Sequence, residues 1–511
     1  MVFFLSEALL FMEITFSKTT NGYDICRAGK VLLHSSYNPQ KEAERFVSTL
    51  SCTYYPSFVI ITEPAISYIT EILRTKYPSS KICCIRYSKA FDKWNNKWDK
   101  IFYIQGYSKS LSEQLFDYLG EEGLCTTLFA SWTASQKAFP SEHTLAWEEI
   151  KKAVLKGRNV LATRSWFSKR WAKNAIKFAL FFNKTKELIK PIEKNIIICA
   201  SGPSLKTSLQ EIKQRRNDIF LIAVSSALSV LHHVNIKPDL CISTDGGYWA
   251  KKHISFALKD FQDMPLALSP EANCWSWAFN NNPIIPLSYG DGISEDIFKC
   301  FGIKNLRAYR NGTVSGTAAK IALDISDNQL VFFCGLDMAS NKGFAHTQPN
   351  ELENQSSIND YRLSTKETRI APSSFNSSAL SIYKSWFSSE NFNNRLFRLS
   401  NNWKYPNTLG NIKDVNWQFF DSISKNTPKE NTLFYKDTDS FLMPIKKRKE
   451  LLLKLIEQKK NSLEWIKEAA PAEFLLLERS ISNEDKINAQ KKLDSAMQKY
   501  IENISSILIR C

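Results

Sequence analysis

The sequence predicts an α/β protein built around a parallel sheet, preceded by a smaller α/β domain and followed by a mainly helical region. Three observations carry this expectation. Short apolar runs recur through the middle of the chain, each stopping at small or polar residues, and helical segments separate them, the alternation that builds a parallel sheet. The first part of the chain repeats the pattern around Phe58–Ile61, Ile82–Ile85 and Lys100–Ile104. At 511 residues the chain exceeds the size at which one hydrophobic core stops growing, so two or three domains are expected.

Met1 to Met12 is apolar, but it lacks a basic start, contains Glu7 and offers no small-residue cleavage site. It reads as a first strand or a misplaced start codon rather than a signal peptide. Residues 1–165 hold the N-terminal α/β domain, with a helix from Ile66 to Lys76, and residues 166–190 a basic connecting helix. Residues 151–190 contain twelve Lys or Arg and a single acid, Glu187, a net of +11 within a chain of +16. The apolar positions Phe167, Trp171, Ala175, Phe178 and Phe182 recur at helical spacing. Two readings stand: a solvated basic face whose aromatic side packs on the core, or a docking face for an acidic partner or an anionic sugar nucleotide. No recognised nucleic-acid-binding motif accompanies the charge, so nucleic acid is not an expected partner.

Residues 191–400 form the central domain. Ile196–Cys199 stops at Ala200-Ser201-Gly202-Pro203-Ser204 and turns into an amphipathic helix from Leu205 to about Arg215. A helix N-terminus carries partial positive charge and orphan N–H donors, so this turn predicts a phosphate beyond the strand's end. Ile219–Val224 closes at Ser225-Ser226 before a short helix, Ala227–His233. Lys237-Pro238-Asp239 leads as a turn into Leu240–Ser243, which ends at Thr244-Asp245-Gly246-Gly247. Met264–Leu268 and Ile284–Leu287 are further strands. Asn311 to Gly316 opens a helix from Thr317 to Asp324 and is a second candidate anion cradle. Gln329–Cys334 ends at Gly335-Leu336-Asp337, with His346 nine residues beyond. Ligands of parallel sheets bind outside the carboxyl ends of the strands. Gly202, Ser204, Ser225, Ser226 and Asp245 are therefore expected to converge on one crevice.

Asn350 to Ser378, rich in Ser, Asn and charge, reads as a long loop or lid, with Tyr361, Arg362 and Arg369 within reach of a carboxylated donor or facing solvent. Residues 401–511 form the helical region, with helices over Pro444–Lys467 and Asp485–Leu508. Leu493, Met497, Tyr500, Ile504 and Leu508 make an apolar stripe there, read as helix packing first and as a partner-binding groove second. The eleven cysteines are odd in number and show no C-x-x-C spacing. That favours reduced thiols in a cytoplasm over a disulfide scaffold or a zinc site. No apolar run after the start reaches the length of a membrane span.

Gly202-Pro203-Ser204-Leu205, Lys237-Pro238-Asp239, Thr244-Asp245, Gly312-Thr313-Val314 and Gly335-Leu336-Asp337 with Gly343 to His346 resemble the motility accessory factor (Maf) flagellin glycosyltransferases. The central domain of that family is related to bacterial CMP-sialic-acid-dependent sialyltransferases and, more distantly, to an archaeal 6-hydroxymethylpterin diphosphokinase. Leu33 to Pro39 with Glu42 to Arg45 is similar to the start of those proteins, and the resemblance covers most of residues 30 to 350. It implies a Rossmann-like (GT-A/sialyltransferase-like) central domain. It also implies a cytoplasmic enzyme without cofactor or metal that supports flagellar assembly and motility. The reaction implied moves a nonulosonic (sialic-acid-like) sugar, such as pseudaminic acid, from its CMP-linked form to Ser or Thr hydroxyls of flagellin.

The family's first strand runs into a Gly-x-Gly-x-Gly-Tyr turn, matched here by Glu63, Ala65, Ser67 and Tyr68. Glu63 places a negative charge where a phosphate would sit and Pro64 removes a donor, so this second pocket is expected to be dead. Gly202, Pro203, Ser204, Ser225, Gly312, Thr313 and Gly335 are then the expected donor-binding residues, with Ser226 and Asp245 on base or ribose. Asp245 alternatively holds a divalent cation, though no second carboxylate stands beside it. His346 is the expected base, because its ordinary pKa suits proton removal at neutral pH. Asp337 is expected to orient it, or to act as the base itself. The sialyltransferases carry tyrosines after the Gly-x-Asp strand where this chain has Met338-Ala339-Ser340, so Lys342, Arg310 or the lid would help the leaving group. Two alternatives are a magnesium- and ATP-dependent diphosphokinase of a small alcohol, and a non-catalytic flagellin-binding module.

Overall fold

The computed structural model describes residues 13–106, 109–183, 185–326, 328–338, 345–358, 360–363, 365, 378–401, 407, 409–424, 434–438 and 443–510. The chain divides into two compact units: Met1–Trp166 with Lys467–Gln498, and Phe167–Ile466 with Lys499–Cys511.

The first unit carries a small antiparallel sheet of β1 (Ile14–Lys18), β2 (Asp24–Ala28) and β3 (Val31–Leu32). Its larger sheet is parallel, with β4 (Phe58–Thr62), β5 (Lys81–Arg86), β6 (Lys100–Tyr103) and β7 (Thr127–Ser131) in the order β6-β5-β4-β7. Val59, Ile60 and Ile61 are fully buried, as a continuous apolar run covered on both faces must be. The helix expected from Ile66 begins at Thr70. Glu63, Ala65 and Ser67 hold left-handed φ values of 37°, 45° and 67°, which keep the preceding residues in a turn. Met1 to Met12 lies outside the described residues.

A 42-residue helix, Pro140–Phe181, stops short of the expected residue 190, because the chain turns extended at β8 (Lys186–Leu188). Ala175, Phe178 and Phe182 are buried and Lys169, Arg170 and Lys177 exposed, so the aromatic side packs on the core and the basic side faces solvent.

The second unit is organised by a nine-stranded sheet whose neighbouring strands are all parallel. Its strands are β9 (Asn195–Cys199), β10 (Ile219–Val224), β11 (Leu240–Ser243), β12 (Leu266–Leu268), β13 (Ile284–Ser288), β14 (Leu306–Arg307), β15 (Val331–Cys334), β16 (Leu396–Leu399) and β17 (Lys413–Val415). The spatial order is β14-β13-β12-β11-β10-β9-β15-β16-β17. Five strands therefore follow β9 to one side, after which the chain crosses back and adds β15 to the other. That reversal makes the gap between β9 and β15 the topological switch point, where the strand-end connections diverge and leave a crevice. The sheet continues through β16 and β17, whose short sequences carry little apolar periodicity.

The segment read as a long loop opens with a short helix, Glu351–Ser357. Residues 366–377, Arg369 among them, lie outside the described residues, as do Ala339, Ser340, Lys342 and Gly343. The last helix runs Asn483–Arg510. Leu493, Tyr500, Ile504 and Leu508 are buried, so its stripe is packing surface rather than a groove. Among the described residues no helix is long and apolar enough to cross a membrane, and ten cysteines are unpaired.

Candidate functional site

The turns that leave β9 and β15 meet at the switch point. Ser204 N–H and Ser204 Oγ donate to Asp337 Oδ2 and Oδ1, both at 2.6 Å. Gly202 N–H donates to Gly335 O at 2.9 Å. A Cβ on Gly202 would lie 2.4 Å from Gly335 O and 2.7 Å from Asp337 Oδ2. A Cβ on Gly335, at φ +81°, would lie 2.3 Å from Ala200 O. These glycines are needed for contact between two turns of the protein itself.

The expected phosphate cradle faces an internal carboxylate. The negative group at this helix N-terminus is Asp337, an internal carboxylate that takes both the N–H and the hydroxyl of Ser204. Burial pushes its pKa up, opposed by the two bonds from Ser204.

His346 stands against the same turn. Thr347 N–H donates to Ser201 O at 2.7 Å and Thr347 Oγ1 to Gly202 O at 2.5 Å, which seats the preceding histidine beside the crevice. Ser201 Oγ and Ser226 Oγ share a hydrogen bond of 2.8 Å, tying the ends of β9 and β10 together. The carboxylate on His346 is that of Glu353 and not that of Asp337, which Ser204 occupies. Glu353 Oε1 lies 3.3 Å from His346 Nδ1 and accepts from Ala345 N–H at 2.9 Å and His346 N–H at 3.2 Å. Glu353 is 4% exposed and His346 27%, so a buried carboxylate fixes a partly open imidazole.

A second group lies farther along the strand ends. Asp245, exposed after β11, accepts from Gly247 N–H at 2.8 Å. Gly312, at φ +70°, precedes Thr313, whose hydroxyl caps helix Val314–Ile325 by accepting from Ser315 N–H. Tyr383 closes over both: its ring would lie 3.4 Å from a Cβ on Gly312. Its hydroxyl is pushed up by burial and then by the charge of Asp245. Ser225, buried at the end of β10, begins a short 3₁₀ turn, and Pro203 supplies no donor to the β9 turn.

Arg310, expected to help the leaving group, is held by carboxylates. It makes a bidentate pair with the buried Glu271 at 2.7 and 2.8 Å and donates to Asp291 at 2.8 Å, with Tyr289 stacked 4.2 Å from its guanidinium. Glu353, Glu271 and Tyr383 all escaped the sequence reading. Only Glu353 had a usable signal, since Asn350-Glu351-Leu352-Glu353 is a helix start with a capping residue. Asn350 Oδ1 indeed accepts from Glu353 N–H at 3.3 Å.

In the first unit, the turn after β4 keeps a glycine-type backbone without glycine, and Glu63 fills it. Its carboxylate accepts from the N–H groups of Ala65, Tyr87 and Ser88 at 3.2, 2.7 and 3.1 Å and pairs with Arg86 at 2.9 Å. Both side chains of the pair are fully buried. His34 steadies the turn by accepting from Ile66 N–H, and burial drives its pKa down to about 3. No group of three or more His, Cys, Asp or Glu suited to a metal ion occurs among the described residues.

Comparison with known proteins finds a family model, a relative and a solved structure that resemble the chain. Residues 169–343 match the family described as 6-hydroxymethylpterin diphosphokinase MptE-like. A protein of Treponema pallidum (strain Nichols), described as "Uncharacterized protein", is 28% identical over 285 residues. That match takes in 55% of this chain and 61% of the length of its relative. A solved structure titled "Structure of MAf glycosyltransferase from Magnetospirillum magneticum AMB-1" aligns with a TM-score of 0.49 at 10% identity. The alignment covers 96% of this chain and 87% of the other. The turns at Gly202 and Gly312 thus fall within the segment that matches the family model, while His346 and Glu353 lie just beyond its last residue.

Proposed function

We propose that this chain is a glycosyltransferase that moves a nonulosonic acid from a CMP-linked donor to Ser or Thr hydroxyls of flagellin. The observation that carries the proposal is the His346–Glu353 pair, seated through Thr347 on the turn at the sheet's switch point. The Maf-like motif set and the MptE-like domain support the same reading. In the proposed reaction His346 Nε2 takes the proton of the acceptor hydroxyl as its oxygen bonds to the anomeric carbon. The bond from that carbon to the phosphate oxygen breaks, and CMP departs with the electron pair. Glu353 steadies the imidazolium that forms, a positioning role. With the Gly202 turn filled by Asp337, the donor phosphate is assigned to the N-terminus of helix Val314–Ile325, at Gly312 and Thr313. Ser226 and Asp245 lie toward base and ribose.

The family match favours a second reading, a diphosphokinase using magnesium and ATP. Calorimetric titration of the full chain separates the two. Saturable binding of CMP, weakened by Asp245→Ala, is expected. Tight magnesium-dependent binding of ATP with no response to CMP would overturn the proposal in favour of the second reading.

A further inference from the structure

The amino ends of the central strands hold a cavity of about 740 Å³, at the opposite pole of the sheet from the crevice. Five basic side chains from separate segments line it: Lys186 on β8, Lys194 before β9, Lys213 at the end of helix Leu205–Gln214, Arg216 after it, and Lys237 before β11. Two acids share the lining, Asp239 and Asp263. Asp239 is fully engaged, accepting from Arg216 Nη2 at 2.8 Å and from Leu221 N–H at 2.7 Å. Lys186 is itself paired with Asp437 at 3.7 Å, so Lys194, Lys213 and Lys237 outnumber the one remaining acid, Asp263, three to one.

Helix carboxyl ends sit at this pole and would by themselves repel an anion. Lys194 Nζ donates to Asn217 O at 2.8 Å and Lys237 Nζ to Gln262 O at 2.9 Å, in the turns that follow helices Leu205–Gln214 and Tyr248–Asp260, which places positive charge beside those helix ends. The same bonds fix both ammonium heads at the cavity wall. An ammonium has three donors, so each keeps two for a ligand.

We infer that this cavity binds a small phosphorylated anion, a site separate from the strand-end crevice and independent of the proposed transfer reaction. Its volume is that of a small-molecule pocket. Lysine heads act as point charges suited to phosphate oxygens, where a planar carboxylate would favour paired arginines.

The test is a calorimetric titration of the full chain with inorganic tripolyphosphate at moderate salt. One saturable site is expected, weakened roughly tenfold or more in Lys194→Gln with Lys237→Gln. A control pair that removes the same charge from an exposed helix, Lys446→Gln with Lys447→Gln, is expected to leave it unchanged. Lys213→Gln, at an exposed position, checks the site again without touching the anchored heads, and a loss of affinity is expected there too. Three results would overturn the inference: no binding or non-saturable binding lowered equally by both pairs, loss of the tripolyphosphate site in the crevice variant Asp245→Ala with Lys194→Gln and Lys237→Gln without effect, or tighter binding of an oligoglutamate peptide.

Discussion

Replacing Arg86 with Ala is expected to destabilise the first unit by about 3–5 kcal/mol, the loss that follows when a buried ion pair loses one partner. The residue is enclosed on every side. Its Nε donates to Asn95 Oδ1, Nη1 to Glu63 and Ala65 O, and Nη2 to Ser67 Oγ. Without it, Glu63 keeps three backbone donors but no counter-charge. The signature is the pH dependence. Burial already holds Glu63 above its ordinary value near 4.5, against the pull of Arg86, and removing Arg86 raises it further. Below about pH 4.5 the carboxyl is protonated in folded and unfolded chains alike, and the variant's deficit is smallest. The unfolded chains of the unaltered protein and the variant ionise alike. The deficit therefore grows only as pH rises above 4.5 through the folded-state pKa of Glu63 beside Arg86, where the unaltered protein ionises and the variant still resists. Denaturant unfolding of the first unit between pH 4 and pH 7 reads it. A loss that does not vary with pH would mean that Glu63 is not the group left unpaired.

The second large effect falls on the proposed transfer reaction. His346→Asn is expected to slow transfer by roughly 10²–10⁴-fold, the usual contribution of a positioned base. Binding of the CMP donor should stay unchanged, because the donor contacts are assigned to Gly312, Thr313, Ser226 and Asp245. Glu353→Gln is expected to slow the reaction less, since the imidazole remains and only its orientation loosens. Single-turnover rates with saturating donor separate binding from chemistry. A His346→Asn rate within a few-fold of the unaltered protein would remove His346 from the reaction.

The strands of the central sheet were legible because a parallel sheet buries both faces, so Ile196–Cys199 and Ile219–Val224 appear as unbroken apolar runs. Strand Leu396–Leu399 and the edge strand Lys413–Val415 were not, since they lie in Asn-rich sequence without a clear period. Within the site, the motif glycines lie where two strand-end turns meet, and the carboxylate that meets them was not foreseen. Gly202 and Gly335 mark a close approach, and sequence cannot distinguish a ligand's phosphate from the carboxylate of Asp337, 133 residues away from its partner Ser204. Glu271 and Arg310 form their pair across 39 residues, beyond any local pattern. The Glu63 turn was the opposite case. Its lost glycines were visible in the sequence, and the fold adds that the glycine backbone survives with Glu63 in the anion's place.

Intact-mass measurement of flagellin is the direct test of the proposed transfer. Unglycosylated flagellin is incubated with the purified chain and CMP-pseudaminic or CMP-legionaminic acid. A mass gain of one or more nonulosonic acid residues is expected, with CMP released in equal amount, and a far slower gain with His346→Asn. No gain with either donor, from a folded protein that binds CMP, would contradict it.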